Sequence, residues 1–442
     1  MSALLTLVGI VLFVIGILVS VGLHELGHML PAKAFGMKVT QFFVGFGRTV
    51  WSTKRGETEY GIKLIPAGGF VRIIGMLPPS KNVQDSQDPS EPLRVRKANT
   101  GPIQSMVENA RNAEYETIDP ADNGRLFYQK VWWKKLIVMA SGPLVNVAIA
   151  FLLFGGLYML YGAPIAQTTV ATVTDCVIPA SEASADRKCE PKDKVSPAKQ
   201  AGFQVGDKIL SFNGTAIDSW DELTPLIRAN TDKPAAIVVE RGGEQVPLQT
   251  NTILNQVVEK PGSDKFVSVG FLGVSPERKV ERQDFGFVVD RMGELTVGTV
   301  QALGRFPEKL VGVAKSIVGG ERDQDSPMSV VGASRVAGEV ASSDLATGEK
   351  AFTLVSLLGS LNLFLALFNF IPLLPLDGGH MIGAIWEGIR RGFAKLFGRP
   401  DPGYVDVAKL LPIAYVAASC IVVMGVLLVV ADIVNPIKLF NG

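Results

Sequence analysis

Residues 1–23 carry no charged side chain. Three more apolar stretches, 136–161, 351–374 and 410–430, are also long enough to cross a bilayer as helix, which takes about 20 residues. Within hydrocarbon the backbone must satisfy its own polar groups, so each such stretch is confined to helix. The composition agrees, at 47% hydrophobic and 19% charged residues, against about 25% charged in soluble domains. The first stretch has neither a basic leader nor a small-x-small cleavage site, so it reads as a span and not as a signal peptide. The fold class expected is a polytopic α-helical membrane protein with four transmembrane helices.

Orientation follows from Lys and Arg in the connections. The segment between the first two spans is rich in them, from Lys33 and Lys38 to Lys134 and Lys135. The connection between the last two holds Arg390, Arg391, Lys395 and Arg399. Both connections read as cytoplasmic, with both termini and the long 162–350 region outside. A net charge of +1 gives no footprint for a nucleic-acid partner.

Between the spans the pattern changes. Residues 38–75 alternate as strands do, and Arg55-Gly56-Glu57 marks a hairpin turn. Residues 77–129, rich in Pro, Ser, Asn, Gln and charge, read as a loosely ordered insert. Residues 165–275 read as a soluble α/β module, with strands at 208–212 and 236–240 and turns at Asn213-Gly214 and Gly242-Gly243. A helix fits 218–229, capped by Asp218 or Ser219. Residues 294–318 suit a helix packed on that module or lying at the membrane surface.

The first span runs directly into His24-Glu25-Leu26-Gly27-His28, an H-E-x-x-H pattern. Four residues apart on a helix, the two imidazoles share a face and can bind one zinc ion. Glu25 can reach a water on that ion and act as general base, then pass the proton to the leaving amine. The bland alternative is a charged helix end without chemistry. It leaves a Glu and two His continuing an uncharged span, which is costly unless they are paired or functional. His and carboxylate ligands suit zinc better than iron or manganese.

A catalytic zinc needs a third protein ligand. His380 is the third of only three histidines, so a carboxylate is the expected ligand and Asp377 the best placed. It ends the third apolar stretch, where Pro372, Pro375, Gly378 and Gly379 break the helix. Irregular backbone at membrane depth is tolerated where it lines a watery cavity. His380 is the alternative ligand, or a group supporting one, or a polar residue at the membrane edge.

These two motifs, HELGH closing the first span and Asn369-x-x-Pro372 followed by Asp377-Gly378-Gly379-His380 in a later one, resemble the site-2 protease family of intramembrane zinc metalloproteases. Gly142-Pro143-Leu144-Val145-Asn146 resembles the family's G-P-x-x-N motif. The stretch from Leu64 to Val71 resembles its membrane-associated β-hairpin region, and 201–214 resembles a PDZ domain of the bacterial protease type. The likeness covers most of the chain apart from 77–129. It implies the four-span layout with one extracytoplasmic PDZ domain. His24, His28 and Asp377 become the ligands of one zinc ion, Glu25 the catalytic base, and Asn369 a group that positions substrate or stabilises the oxyanion. An interhelical hydrogen bond is the plainer role for Asn369.

The resemblance further implies regulated cleavage within the bilayer. Substrates would be single-span membrane proteins such as anti-sigma factors, or remnant signal peptides, already trimmed by an upstream site-1-type protease. The active site would lie near the cytoplasmic side of the cell membrane. The partition expected is 1–37 for the first helix with HELGH, 38–76 for the hairpin region, 77–130 for the cytoplasmic insert and 131–162 for the second helix. There follow 163–278 for the PDZ domain, 279–350 for an interfacial helical segment, 351–382 for the third helix, 383–409 for a cytoplasmic loop and 410–432 for the fourth helix. An exposed edge of the hairpin offers an unwound substrate a place to add as a strand.

The chain has three cysteines. By the orientation above, Cys176 and Cys189 lie outside, where an oxidising compartment permits a disulfide between them; two free thiols is the alternative. Cys420 falls in the fourth span as a small packing residue. Two other functions share some of these features. A membrane-anchored zinc peptidase acting on soluble proteins would need a third ligand on a soluble helix. A scaffold using the module alone leaves the D-G-G-H break inside a span without purpose.

Overall fold

The computed structural model describes residues 2–79, 102–115, 118–179, 187–258, 266–320, 322–323 and 325–437. Residues 80–101 of the expected insert lie outside the described residues. The chain forms two compact units, one of residues 1–157 with 285–442 and one of 158–284.

The first unit opens with helix α1 (Ser2–Ala34), which carries the HELGH motif inside its last turns. Strands β1 (Val39–Arg55) and β2 (Thr58–Ile73) then form a long antiparallel hairpin, with Val39 opposite Ile73 and Arg55 opposite Thr58. The turn between them passes through Gly56 at a φ of 64°, a conformation that suits glycine. Helix α2 (Pro102–Tyr115) and the 3-10 turns Pro120–Asp122 and Phe127–Gln129 follow. Helix α3 (Trp132–Gly156) runs on into a π-helical turn, Leu157–Tyr161.

The second unit is a sheet module. It contains β3 (Ala163–Val173), α4 (Pro197–Ala201), β4 (Lys208–Phe212), β5 (Thr215–Ala216), α5 (Trp220–Ala229), β6 (Pro234–Arg241), β7 (Glu244–Asn251), β8 (Ile253–Val258), β9 (Phe266–Phe271) and β10 (Val274–Glu281). The main sheet runs β10-β3-β4-β6-β7, β5 pairs with β4, and β8 pairs with β9. Its core gathers Val170, Phe203, Ile209, Leu223, Ile237 and Leu272. Ser219 caps α5 by accepting from Glu222 N at 3.3 Å, and the Asp218 N–H donates back to the Glu222 carboxylate at 3.1 Å. These reciprocal bonds satisfy free donors at the helix start. Cys176 and Cys189 are joined by a disulfide.

The first unit resumes with α6 (Phe285–Gly304), α7 (Phe306–Ile317), α8 (Val330–Ser342), α9 (Thr347–Asn369), α10 (Asp377–Leu396) and α11 (Leu411–Val434). Among the described residues four helices are long and apolar enough to cross a membrane: Ala3–Ala34, Trp132–Tyr161, Thr347–Asn369 and Val407–Val434. The chain thus has the build of a polytopic membrane protein. Phe13 and Ile17 of α1 pack with Ala333 and Ala337 of α8 and with Leu358 of α9. Asp432 of α11 accepts from Arg322 at 2.7 Å and from Ser329 N and Gly332 N at the start of α8.

Three local expectations differ from the structure. The described parts of the expected insert, 102–115 and 118–129, are packed against the rest of the unit, not loose. Arg111 of α2 reaches both carboxylate oxygens of Asp406 at 2.6 Å, and Glu114 accepts from the backbone N–H groups of Met76 and Leu77. Residues 383–396, expected as loop, continue α10. The 294–318 stretch is two helices, α6 beside α3 and α9, and α7 beside α11.

Candidate metal centre

The hairpin, α1 and α3 share one core of Met29, Met37, Val39, Ile73, Phe127 and Val138. This packing fixes the end of α1 that holds the motif. His24 and His28 are both buried. The Nδ1–H of His28 donates to the carbonyl of Val138 on α3 at 2.7 Å. A carbonyl only accepts, so Nδ1 carries the proton and Nε2 presents its lone pair. That arrangement is the usual support behind a metal-bound imidazole.

Asp377 is the first residue of α10, entered through the break at 370–376 that includes a cis Leu374–Pro375 bond. Its Oδ2 lies 3.4 Å from His24 Nε2 and 3.2 Å from His28 Nε2, and the two Nε2 atoms are 3.2 Å apart. Three ligand atoms therefore form a nearly equilateral triangle. Zinc bonds of about 2.0–2.1 Å at tetrahedral angles separate ligand atoms by about 3.3–3.4 Å, so the donor set and its spacing fit that ion. Among the described residues this is the group of His, Cys, Asp and Glu placed to hold a metal. Asp377 Oδ2 is buried without a hydrogen-bond partner among them, as suits an atom kept for a cation.

Glu25 is half-buried beside the triangle. Its Cγ packs over Gly69 of β2, where a Cβ would stand only 3.0 Å away. The hairpin thus bounds the space in which the Glu25 carboxylate moves. Asn369 is the last residue of α9 and is half-buried. His380 also lies outside the triangle, its ring edge-on to Phe127 at 6.4 Å between centroids.

Two supporting features escaped sequence reasoning. Gly142 of α3 leaves room for His28, since a Cβ there would sit 2.1 Å from Nε2; the G-P-x-x-N motif was its only signal. Lys135 of α3 pairs with Glu387 of α10 at 2.6 Å, both nearly fully buried, with Val405 N donating to the same carboxylate oxygen. The pair ties the helix that orients His28 to the helix that begins with Asp377.

The model of Peptidase family M50 matches residues 12–399. The chain is similar to zinc metalloprotease Rip1 of Mycobacterium tuberculosis, at 35% identity over 98% of this chain and 99% of that protein. It is 34% identical to zinc metalloprotease Rip1 of Mycolicibacterium smegmatis over the same shares. Zinc metalloprotease RasP of Oceanobacillus iheyensis is 25% identical over 86% of this chain and 91% of its own. A family match over most of the chain, joined to full-length similarity with named zinc enzymes, makes this chain a zinc metalloprotease that belongs to Peptidase family M50, the site-2 protease family its motifs resemble.

Proposed function

We propose that this enzyme cuts a peptide bond within the membrane-spanning segment of single-span proteins, with His24, His28 and Asp377 holding the zinc ion and Glu25 as general base. The observation that carries the reading is the triangle of Nε2, Nε2 and Oδ2 atoms with sides of 3.2–3.4 Å, built where a membrane-crossing helix meets a broken one. Zinc held there polarises the scissile carbonyl and lowers the pKa of water toward about 7. Glu25 takes the proton of the attacking water and returns it to the leaving nitrogen. Asp377 and the Val138 carbonyl behind His28 keep the donor atoms in place. Asn369, at the mouth of the helix break, positions substrate or donates to the developing oxyanion.

The remaining assignments follow the same reading. The Lys and Arg distribution supports termini outside and the metal centre towards the cytoplasmic face. The sheet module, with α5 and a strand order of β10-β3-β4-β6-β7, serves as an extracytoplasmic PDZ domain that binds a trimmed C-terminus or excludes bulky chains. Anti-sigma factors and remnant signal peptides, trimmed by a site-1-type protease, are the substrate class. The hairpin edge beside Glu25 receives the unwound substrate as an added strand.

Glu25→Gln tests the core of this reading. Purified wild type and variant are assayed for bound zinc and for cleavage of a trimmed single-span substrate in liposomes. The variant is expected to keep its zinc and lose cleavage by at least about 100-fold. Equal cleavage by both would remove Glu25 from the chemistry. Cleavage confined to soluble unfolded protein would move the enzyme to a different substrate class.

A further inference from the structure

Between the third and fourth apolar spans, α10 presents a face that the mechanism does not use. Ile382, Ile385, Trp386, Ile389, Phe393 and Leu396 recur at helical spacing and are exposed by 36–75%. Basic residues flank the stripe: Arg390, Arg391, Lys395 and Arg399. The loop after the helix folds back on it. Arg390 Nη2 donates to the Pro402 carbonyl at 3.1 Å, and Phe393 stacks on Phe397 with 6.3 Å between centroids. An open cavity results, with Trp386, Phe393, Phe397, Arg390 and Arg399 among its lining residues.

The charge around it is one-sided. Glu387, on the same helix, is turned inward onto Lys135. Asp401, between the lining residues Pro400 and Pro402, lies 3.5 Å from Arg391. No carboxylate among the described residues pairs with Arg390 or Arg399. The cavity therefore joins an apolar aromatic wall to two cations, on a segment whose two ends enter membrane-crossing helices. An amphipathic helix with aromatic and aliphatic residues on one face and Arg and Lys on the other lies at a bilayer surface.

We propose that this cavity binds one anionic phospholipid, with Arg390 and Arg399 taking the headgroup phosphate and the Trp386–Phe393–Phe397 wall taking the first part of an acyl chain. Guanidinium forks match phosphate oxygens, and their charge selects a headgroup without its own cation. The ligand seats at the far end of the helix that begins with Asp377.

The test uses the full zinc-loaded chain in a neutral detergent. Phosphatidylglycerol, phosphatidylcholine of the same acyl chains, and inorganic phosphate are titrated separately, and native mass spectrometry counts bound molecules. Each basic residue at an anionic lipid surface multiplies affinity about fivefold, so wild type should prefer phosphatidylglycerol by at least about tenfold. R390Q/R399Q should keep its zinc and elution volume and lose that preference. W386S/F393S should weaken both lipids and leave the preference intact. Equal binding of the two lipids by wild type would overturn the proposal, as would a preference kept in a folded R390Q/R399Q. Displacement of phosphatidylglycerol by inorganic phosphate at matching concentration would reduce the site to an anion site and overturn it too. Should R390Q/R399Q not fold, the wild-type comparison decides alone.

Discussion

A Cβ atom on Gly142 would stand 2.1 Å from Nε2 of His28, closer than any non-bonded pair tolerates. The absent side chain on α3 thus makes room for the proposed metal ligand His28. It lets the His28 ring lie flat against one helix while its Nδ1–H is held by Val138, one turn earlier on the same helix.

Gly142→Ala should therefore displace His28 and empty the site. We expect zinc affinity and cleavage to fall by at least about 100-fold, the upper end of what loss of support behind a metal ligand costs. Gly156→Ala, on the same helix with open space around its Cβ position, is the control and should be neutral. Metal content by mass spectrometry and cleavage of a single-span substrate give the answer. A Gly142→Ala protein with full zinc would show that His28 can hold the ion from another rotamer.

Gly69→Ala tests the other wall of the site. A Cβ there meets Glu25 Cγ at 3.0 Å, the Phe43 carbonyl at 3.0 Å and Val21 Cγ1 at 3.1 Å. The added methyl pushes on the proposed base and leaves the ligand triangle alone. Cleavage should drop by about 10–100-fold with zinc retained, since small misplacements of a catalytic group are costly. Parallel loss of zinc and activity would instead mean that the hairpin holds the ligands.

The parts of this molecule legible in sequence are those where a local rule has no competitor. An uncharged stretch of helix length and two histidines four apart on it announce themselves because polar groups beside hydrocarbon are expensive. Asp377 is legible for the same reason, at a helix broken by two prolines. What stayed hidden depends on partners far along the chain. Arg111 and Asp406 are 295 residues apart, and nothing in the polar composition of 77–129 announces that pairing. The continuation of α10 was masked by Gly383, Gly388 and Gly392, each unfavourable to helix by about 1 kcal/mol against Ala. The helix forms there because its inner face is anchored by Glu387 on Lys135.

The disulfide predicts a labelling pattern. Cys176 and Cys189 are bonded, and Cys420 is free and exposed on α11. A membrane-permeant maleimide applied to denatured protein without reductant should modify one thiol per chain, and three after reduction. Modification of all three without reductant would show that the bridge does not form in the cell.

The sheet module carries a pH-dependent clamp. Asp207, just before β4, is buried, and Arg241 at the end of β6 reaches its two oxygens at 2.7 Å through Nε and Nη2. Gln204 N donates to the same carboxylate at 2.8 Å. Burial pushes the Asp207 carboxyl up, but the Arg241 guanidinium and the Gln204 N–H outweigh it and hold it below the ordinary aspartate value. A depressed folded-state pKa means stability that is fully present above the unfolded value of about 3.9 and is lost as pH falls through the folded one. Asp207→Asn should cost the module about 1.5–3 kcal/mol at pH 7, the range for hydrogen bonds to a charged group. That cost should shrink as the pH falls below the unfolded aspartate value of about 3.9, where the advantage of the charged carboxylate in the folded state is progressively lost. Native-state hydrogen exchange of the β4 and β6 amides in urea, run on the full chain at pH 7 and near pH 3, measures both. The same gap at both pH values would mean that Asp207 stabilises the module through packing and not through its charge.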